Sequence, residues 1–188
     1  MLIDKINNRE SGIIVYGITP PKAGTNADKI SDIAKKQIER LANQNIDGLI
    51  LYDIQDEESR TSIERPFPFM ETLDSFDYSQ NYLADLKVPK IIYRSVGKYS
   101  ESELNEYLSQ AVNTDGATVF VGAASKNQGV TLSLKQAYEL KQTHCLELPI
   151  GGVTIPERHQ SKGDEHIRVF DKMAQGCKFF VSQGVYDL

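Results

Sequence analysis

Short apolar runs rich in β-branched residues alternate along the chain with longer segments whose apolar residues recur every three or four positions. The first pattern is typical of strands and the second of amphipathic helices. The pattern predicts strands at residues 13–16, 48–52, 88–93, 116–121, 148–155 and 178–183. It predicts helices over residues 30–42, 78–86, 100–113, 132–144 and 167–174.

This alternation of strands and helices predicts an α/β fold with a parallel sheet. Two architectures fit it, a doubly wound open sheet and a closed TIM-type (β/α) barrel. Open sheets that bind nucleotides carry a glycine-rich turn after the first strand, whereas here that turn contains Pro20 and Pro21. We therefore expect the barrel. Because no long repeat, low-complexity tract or linker divides the chain, we expect one domain over residues 1–188.

Composition and charge narrow the classes of partner. Lys and Arg total 21 against 26 for Asp and Glu, which gives a formal net charge of −5. Because the chain has no polybasic run, we expect neither nucleic acid nor a membrane surface as its partner. The two cysteines lie far apart without metal-ligand spacing, and the sequence shows no secretory signal or membrane-spanning apolar stretch. We expect a soluble, cytoplasmic protein without a metal site.

In parallel α/β folds the reactive side chains come from the carboxyl ends of strands and the loops that follow. This rule selects Tyr16, Thr19, Asp53, Gln55, Asp56, Glu57, Tyr93, Arg94, Ser125, Lys126, Glu157, His159, Gln183 and Asp187. The acidic run at residues 53–58 could hold Mg²⁺ or transfer protons, and a solvated loop is the alternative. His159 is the histidine best placed to work near neutral pH. No nucleophile elbow surrounds Ser125, so the sequence does not support a hydrolase.

Three short segments of the sequence are informative when they are taken together. They are residues 20–22 (Pro-Pro-Lys), residues 155–159 (Ile-Pro-Glu-Arg-His) and residues 172–183 (Lys-Met-Ala-Gln-Gly-Cys-Lys-Phe-Phe-Val-Ser-Gln). In order and spacing they resemble the methylenetetrahydrofolate reductase family, whose members are flavin-binding (β/α)₈ barrels. The resemblance is most specific from about residue 151 to residue 187.

The resemblance implies ligands for individual residues. His159 matches the family's histidine beside the flavin, and Lys172 matches the lysine that contacts the flavin phosphates. Glu165 lies near an acidic position that contacts the ribityl or ribose part of the cofactor. Gln183 matches the glutamine that hydrogen-bonds the folate pterin. The implied cofactors are FAD and either NADH or NADPH, and the implied substrate is a folate-type small molecule.

The chain also departs from the family pattern. Gly17 stands where the family has a glutamate before the Pro-Pro pair, and Ala123 stands where it has an aspartate ending the fourth strand. Asp53 is our conjectured replacement acid, with Glu57 as the alternative. Six strands are predicted where the family barrel has eight. We therefore expect residues beyond this chain, or another subunit as in a homo-oligomer, to complete the barrel, because open sheet edges favour aggregation.

Two functions are consistent with these observations. The first is a reductase of one-carbon metabolism, in which hydride passes from NAD(P)H through flavin to methylenetetrahydrofolate. It is motivated by the retained Lys172, His159 and Gln183. The second is a non-catalytic accessory protein that binds folate or flavin, and it is motivated by Gly17 and Ala123.

Overall fold

The computed structural model describes residues 1–56, 67–122 and 131–184 of the chain. Within them the strands are β1 (Val15–Ile18), β2 (Gly48–Leu51), β3 (Lys90–Ser95), β4 (Ala117–Val121), β5 (Ile150–Thr154) and β6 (Phe179–Ser182). The α-helices are α1 (Leu2–Asn7), α2 (Ala27–Leu41), α3 (Ser75–Asn81), α4 (Glu101–Ala111), α5 (Leu134–His144), α6 (Pro156–Lys162) and α7 (Glu165–Ala174). A short 3-10 turn over Val96–Lys98 follows β3.

The six described strands form one parallel sheet, and their order in the sheet is their order in the chain. Val15 of β1 lies opposite Gly48 of β2, and Gly152 of β5 lies opposite Phe180 of β6. A doubly wound sheet reverses its strand order partway across, and this sheet does not. The chain therefore has an α/β fold built on a curled parallel sheet.

Helices α2 to α5 cover one face of the sheet, which we call the outer face. The strand side chains buried there include Leu49, Leu51, Ile92, Phe120 and Ile150. The helical side chains packed on them include Ile30, Ala34, Tyr78, Leu104, Leu108 and Ala137. Since alternate residues of a strand point to opposite faces, only every second strand residue belongs to this core.

The opposite, inner face carries a second and smaller core. Ile50, Tyr93 and Val119 are buried there. Helix α1 joins this core through Leu2 at the amino ends of the strands. A β-carbon at Gly48 would lie 2.6 Å from Leu2 Cδ2, so the glycine at the start of β2 leaves the space that α1 occupies. The helix therefore closes the amino end of the inner face.

The two flanks of the sheet are more exposed than its centre. On β1 and the residue before it, Ile14, Val15 and Tyr16 are exposed. On the other flank, Ile167, Phe170 and Met173 of α7 are exposed, with 63% of the Phe170 surface accessible. The apolar residues that the sequence places on one side of this helix thus face solvent in this chain.

Every predicted strand is confirmed within about two residues, and so is the start of α4. Ser100 Oγ accepts a hydrogen bond from Glu103 N at 3.3 Å, and Glu103 Oε2 accepts one from Ser100 N at 2.7 Å. This reciprocal pair is a capping box, which fixes the start of the helix.

Two helices were not predicted from the sequence, and α3 begins and ends earlier than the predicted 78–86. Helix α1 was not predicted, because its six residues are too few to show a clear period. Residues 155–159 were expected as a loop, yet α6 starts at Pro156, where a first-turn proline gives up no helical hydrogen bond. Gly163 ends this helix in the left-handed conformation, with φ of 67°. No helix in the described part of the chain has the length and apolarity that a bilayer crossing requires.

Candidate functional site

A cavity of about 620 Å³ lies at the carboxyl ends of β4, β5 and β6, with residues of α5 and α7 on its sides. We call it the carboxyl-end cavity. Its apolar wall consists of Phe120, Val121, Leu134, Tyr138, Val153 and Ile155. Its polar lining includes Gln55, Gln175, Gln183, Lys135, Arg158, Arg168, Asp171 and Lys172. This volume, and this mixture of apolar and polar lining residues, are typical of sites that bind small molecules.

Basic side chains outnumber acidic ones in this lining. Among the described residues it has four basic side chains, and Asp171 is the acidic one. The whole chain has the opposite balance, with a net charge of −5. Lys135, Arg158 and Arg168 are ion-paired with Glu139, Glu165 and Asp164, so the positive charge without a carboxylate partner among the described residues is that of Lys172. A positive charge of this kind favours an anionic ligand, because the local field attracts it.

Lys172 reaches across the outer face of β5. Its Nζ donates a hydrogen bond to the carbonyl oxygen of Val153, and its side chain packs over Gly152. No carboxylate of the described residues lies within ion-pair distance of it. Burial lowers the pKa of Lys172, an effect that nearby Glu165 opposes. The ammonium group is therefore partly desolvated, and the described residues supply it with no ion-pair partner.

Glu165 is buried at the start of α7 and shapes the connection from β5 to α6. Its carboxylate accepts hydrogen bonds from Ile155 N at 2.8 Å and from Thr154 Oγ1 at 3.2 Å. It also accepts one from an Arg158 guanidinium nitrogen at 3.3 Å. Glu165 thus orients Arg158, which lines the cavity, and most of its own hydrogen-bonding capacity is used within the protein.

Gln183 follows β6 directly, as the sequence predicts. Its backbone N–H donates to the carbonyl oxygen of Thr154 at 3.1 Å, which holds it beside the end of β5. Its exposed side chain lines the carboxyl-end cavity. Gln55, after β2, lines the same cavity and donates to the carbonyl oxygen of Gly122 at 3.1 Å. With Gln175, three primary amides therefore line the described part of this cavity, and the exposed amide of Gln183 carries both donors and an acceptor for a polar ring edge.

The other residues assigned to a flavin do not meet at this cavity. His159 is exposed on α6, with its ring 5.4 Å from that of His166. The Glu165 carboxylate contacts the β5–α6 connection. Of the three positions that the resemblance assigns to the flavin, only Lys172 lines the cavity. The three positions therefore do not line one cavity together, and their flavin contacts stay predictions.

A second polar cluster lies at the carboxyl ends of β2 and β3, and we call it the paired cluster. It is built on Asp53, whose side chain is only 6% exposed. The Asp53 carboxylate accepts hydrogen bonds from Ser95 N at 2.7 Å, Tyr99 Oη at 3.0 Å and Lys98 Nζ at 2.6 Å. These contacts tie the end of β2 to the turn after β3. The catalytic role conjectured for Asp53 stays a prediction.

Arg94 forms the buried side of the paired cluster. Its guanidinium group forms an ion pair with Asp74, donates to Tyr99 Oη at 3.1 Å and lies 3.9 Å from the Tyr107 ring centroid. Asp74 also caps α3 by accepting from Phe76 N at 2.9 Å. Burial by itself raises the pKa of Asp74, but Arg94 and the backbone donors more than offset this, so its pKa lies below the usual value.

The position of the family glutamate is closed to a side chain. A β-carbon at Gly17 would lie 2.7 Å from the Tyr52 ring. Tyr52 in turn packs edge-to-face on Tyr93, with centroids 5.0 Å apart. The space that a carboxylate would need is therefore filled by aromatic rings. Ala123, the second departure, lies outside the described residues, as do Glu57, Ser125, Lys126 and Asp187.

Within the described parts of the chain, no three His, Cys, Asp or Glu side chains are arranged to hold a metal ion. The described residues of the acidic run, Asp53 and Asp56, thus do not form such a group. Glu57 and Glu58 are not among the described residues.

Sequence reasoning missed several cavity residues. Arg158 stood inside the quoted motif at residues 155–159 and received no role. Arg168 was also overlooked, although it precedes Lys172 by four positions and so shares a helix face with it. Tyr138 was one apolar position of a helix among others, and only the fold places it at the cavity.

Comparison with solved structures finds an uncharacterized protein from Clostridium thermocellum that binds two copies of 5-methyl-5,6,7,8-tetrahydrofolic acid. It is 47% identical in sequence, with a TM-score of 0.86, over 99% of this chain and 59% of that chain. The present chain thus spans about 59% of the length of that protein. No family model matches the chain. No curated protein matches it either.

Proposed function

We propose that this protein binds a reduced folate of the 5-methyltetrahydrofolate class in the carboxyl-end cavity. The observation that carries the proposal is the similarity, at 47% identity and a TM-score of 0.86, to a protein that binds this compound. Folate binding without catalysis is sufficient to account for this similarity. This chain covers 59% of the matched chain. Any activity of the whole matched protein is therefore carried over to this chain only as a proposal.

The cavity lining suits the three chemical parts of a folate. The pterin ring is flat and has an edge of alternating donors and acceptors, which Gln183 can pair with. The aminobenzoyl ring is apolar and aromatic, as are Phe120 and Tyr138 in the cavity wall. The glutamate tail carries two carboxylates, which Arg158 and Arg168 can hold by charge-assisted hydrogen bonds.

Isothermal titration of the purified chain with 5-methyltetrahydrofolate tests this proposal. The variant that combines Arg158→Met and Arg168→Met keeps much of the apolar stem and removes the positive charges. We expect its affinity at this site to fall about tenfold or more, because charge-assisted hydrogen bonds are typically worth roughly 1.5–3 kcal/mol. Arg40→Met, an exposed change on α2, is the matched control and should bind as the parent does. Equal affinity in the double variant and the control would contradict the proposed site.

A flavin-dependent methylenetetrahydrofolate reductase, with FAD and NADH or NADPH, is the second candidate function. The observation that favours it is that Lys172 and Gln183 line one cavity. The positions of His159 and Glu165 and the filled space at Gly17 weigh against it. The visible spectrum of the purified protein separates the two functions. The reductase is supported if the protein is yellow, if reduced nicotinamide bleaches that colour, and if methylenetetrahydrofolate then restores it. Binding alone is supported if the protein is colourless and binds folate.

We also propose that the sheet is part of an eight-stranded TIM-type barrel. Two observations support this finer architecture: the strands follow chain order without reversal, and both flanks expose apolar side chains such as Tyr16 and Phe170. Further strand–helix units between β6 and β1, from the same polypeptide or from another subunit, would cover both flanks.

We also propose that the protein is cytoplasmic. Its two cysteines are free and buried, which fits a reducing environment.

A further inference from the structure

A second cavity, of about 600 Å³, lies at the opposite end of the sheet, beside the amino ends of β2, β3 and β4. We call it the amino-end cavity. Its volume is close to the 620 Å³ of the carboxyl-end cavity, and both fall in the range of small-molecule sites. None of the residues singled out from the sequence as candidate chemistry lines it.

Lysines outnumber acidic side chains in the described lining of the amino-end cavity, which contains Lys5, Lys87 and Lys90 with Asp47 and Asp115. Lys5 is neutralised by Asp47, with Nζ and Oδ1 2.6 Å apart. Lys87 and Lys90 have a different environment, because their ammonium groups donate to the main-chain carbonyls of Ala84 and Leu86. In the part of the chain that the structure describes, no carboxylate lies within ion-pair distance of either lysine.

The ammonium groups of Lys87 and Lys90 repel each other, and neither has a carboxylate partner among the described residues; Lys87 lies exposed at the edge of the cavity. Lys90 is half-buried, and burial together with the neighbouring charge of Lys87 lowers its pKa. An anion placed between the two groups would relieve both effects, since it replaces lost hydration and screens the repulsion.

The remaining lining fits an organic anion better than an inorganic one. Phe76, Leu86, Val88 and Ile92 supply apolar surface next to the lysines. Gln80 and Asn113 add primary amides. Small inorganic anions need only cations and donors, whereas this cavity combines them with apolar and amide groups, as an aromatic dicarboxylate requires.

We propose that the amino-end cavity is a second binding site for a folate-type anion, with carboxylates of the ligand held by Lys87 and Lys90. The inference rests on the proposed function and extends it from one site to two. The similar protein binds two copies of 5-methyltetrahydrofolate, and this chain provides two cavities of nearly equal volume at opposite ends of its sheet.

Equilibrium dialysis with 5-methyltetrahydrofolate, in parallel with titration calorimetry, measures the number of sites per chain. The inference predicts two equivalents for the parent. Combining Lys87→Met with Lys90→Met should leave one equivalent, and combining Arg158→Met with Arg168→Met should remove the other. Lys36→Met, an exposed change on α2, is the matched lysine control and should keep two.

The outcomes separate the two proposals. A single equivalent that the arginine variants remove and the lysine variants leave intact overturns the amino-end site and keeps the proposed function. A single equivalent that only the lysine variants remove supports the amino-end site and contradicts the carboxyl-end one. Absence of any binding overturns both.

A labelling experiment on the unsubstituted protein covers the case in which a variant does not fold. Lysines are acetylated with and without saturating 5-methyltetrahydrofolate, and the modification of each peptide is measured by mass spectrometry. We expect severalfold protection of Lys87 and Lys90 relative to Lys36. Equal acetylation of all three with and without ligand overturns the amino-end site.

Discussion

The paired cluster and the carboxyl-end cavity lie at the same end of the sheet, yet they treat charge in opposite ways. In the paired cluster, Arg94 has Asp74 as its ion-pair partner, and Asp53 accepts from Lys98 and a tyrosine. In the cavity, Lys172 has a main-chain carbonyl as its partner, and the basic side chains exceed the acidic ones. The charges of the paired cluster named here have partners within the protein. At the cavity Arg158 is paired with Glu165 and Arg168 with Asp164, and Lys172 is the basic side chain that has no carboxylate partner among the described residues.

This difference separates structural from binding roles among residues that look alike in the sequence. Arg94 and Lys172 are both basic side chains near strand ends. The first is 4% exposed and enclosed by partners, and the second is half-buried at a cavity. Changes in the paired cluster should therefore alter stability, and changes in the cavity should alter ligand affinity.

Arg94→Met should have the largest effect on stability. It removes the guanidinium group and leaves Asp74, which is partly buried, without its ion-pair partner. We expect a loss of about 3 kcal/mol in the free energy of unfolding, the lower end of what breaking a buried pair costs. Urea denaturation measures it, with Arg40→Met as the control that should stay within about 0.5 kcal/mol of the parent. A loss below about 1 kcal/mol would show that the pair is not structural.

Asp74→Asn should have a smaller effect that depends on pH. Asparagine still caps α3, so the change removes mainly the charge opposite Arg94. We expect a loss of roughly 1.5–3 kcal/mol at pH 7, typical of a hydrogen bond to a charged group.

The pH dependence of this loss follows from the sign of the pKa shift. The pKa of Asp74 in the folded protein lies below its ordinary value of 3.8. A carboxyl group with a lowered pKa stabilises the fold above its unfolded-state pKa and loses that contribution as the pH falls toward the folded-state value. The difference between parent and variant should thus be constant from pH 7 to about pH 5 and shrink below about pH 4. A difference at pH 3 as large as that at pH 7 would indicate that the charge of Asp74 is not its cause.

The sequence predicts more of the fold than of the site. Strand positions follow from local runs of apolar residues, and their alternation with helices is enough to give a parallel sheet. The partners of Arg94 come from three separate stretches of the chain, at Asp74, Tyr99 and Tyr107, and no local pattern records that they meet. The same is true of the contact between Gly17 and Tyr52, which only the register of β1 and β2 creates.

The motifs were a useful guide to the position of a side chain where a strand of the sheet fixes the backbone of that residue. Gln183 is the residue after β6 and lines the cavity, and its contact with a pterin stays a prediction. His159 belongs to the same set of motifs but lies on a helix that the sequence did not predict, and it is turned toward His166. A strand end is a more reliable guide to the position of a side chain than a connection whose conformation is unknown.

Gln183→Leu should have the smallest effect on stability and a clear effect on ligand binding. It tests whether residues of the carboxyl-end cavity, unlike those of the paired cluster, act on binding rather than on stability. Leucine is similar in volume but cannot pair with a polar ring edge. The Gln183 side chain is exposed, so the thermal midpoint should stay close to that of the parent. We expect 5-methyltetrahydrofolate affinity to fall about tenfold, or about 1.4 kcal/mol, because pterin groups lose partners when they leave water. Titration calorimetry and thermal denaturation of the same sample provide both measurements. If the thermal midpoint drops and affinity only follows the folded fraction, Gln183 is a structural residue, and the cavity rather than the amide determines binding.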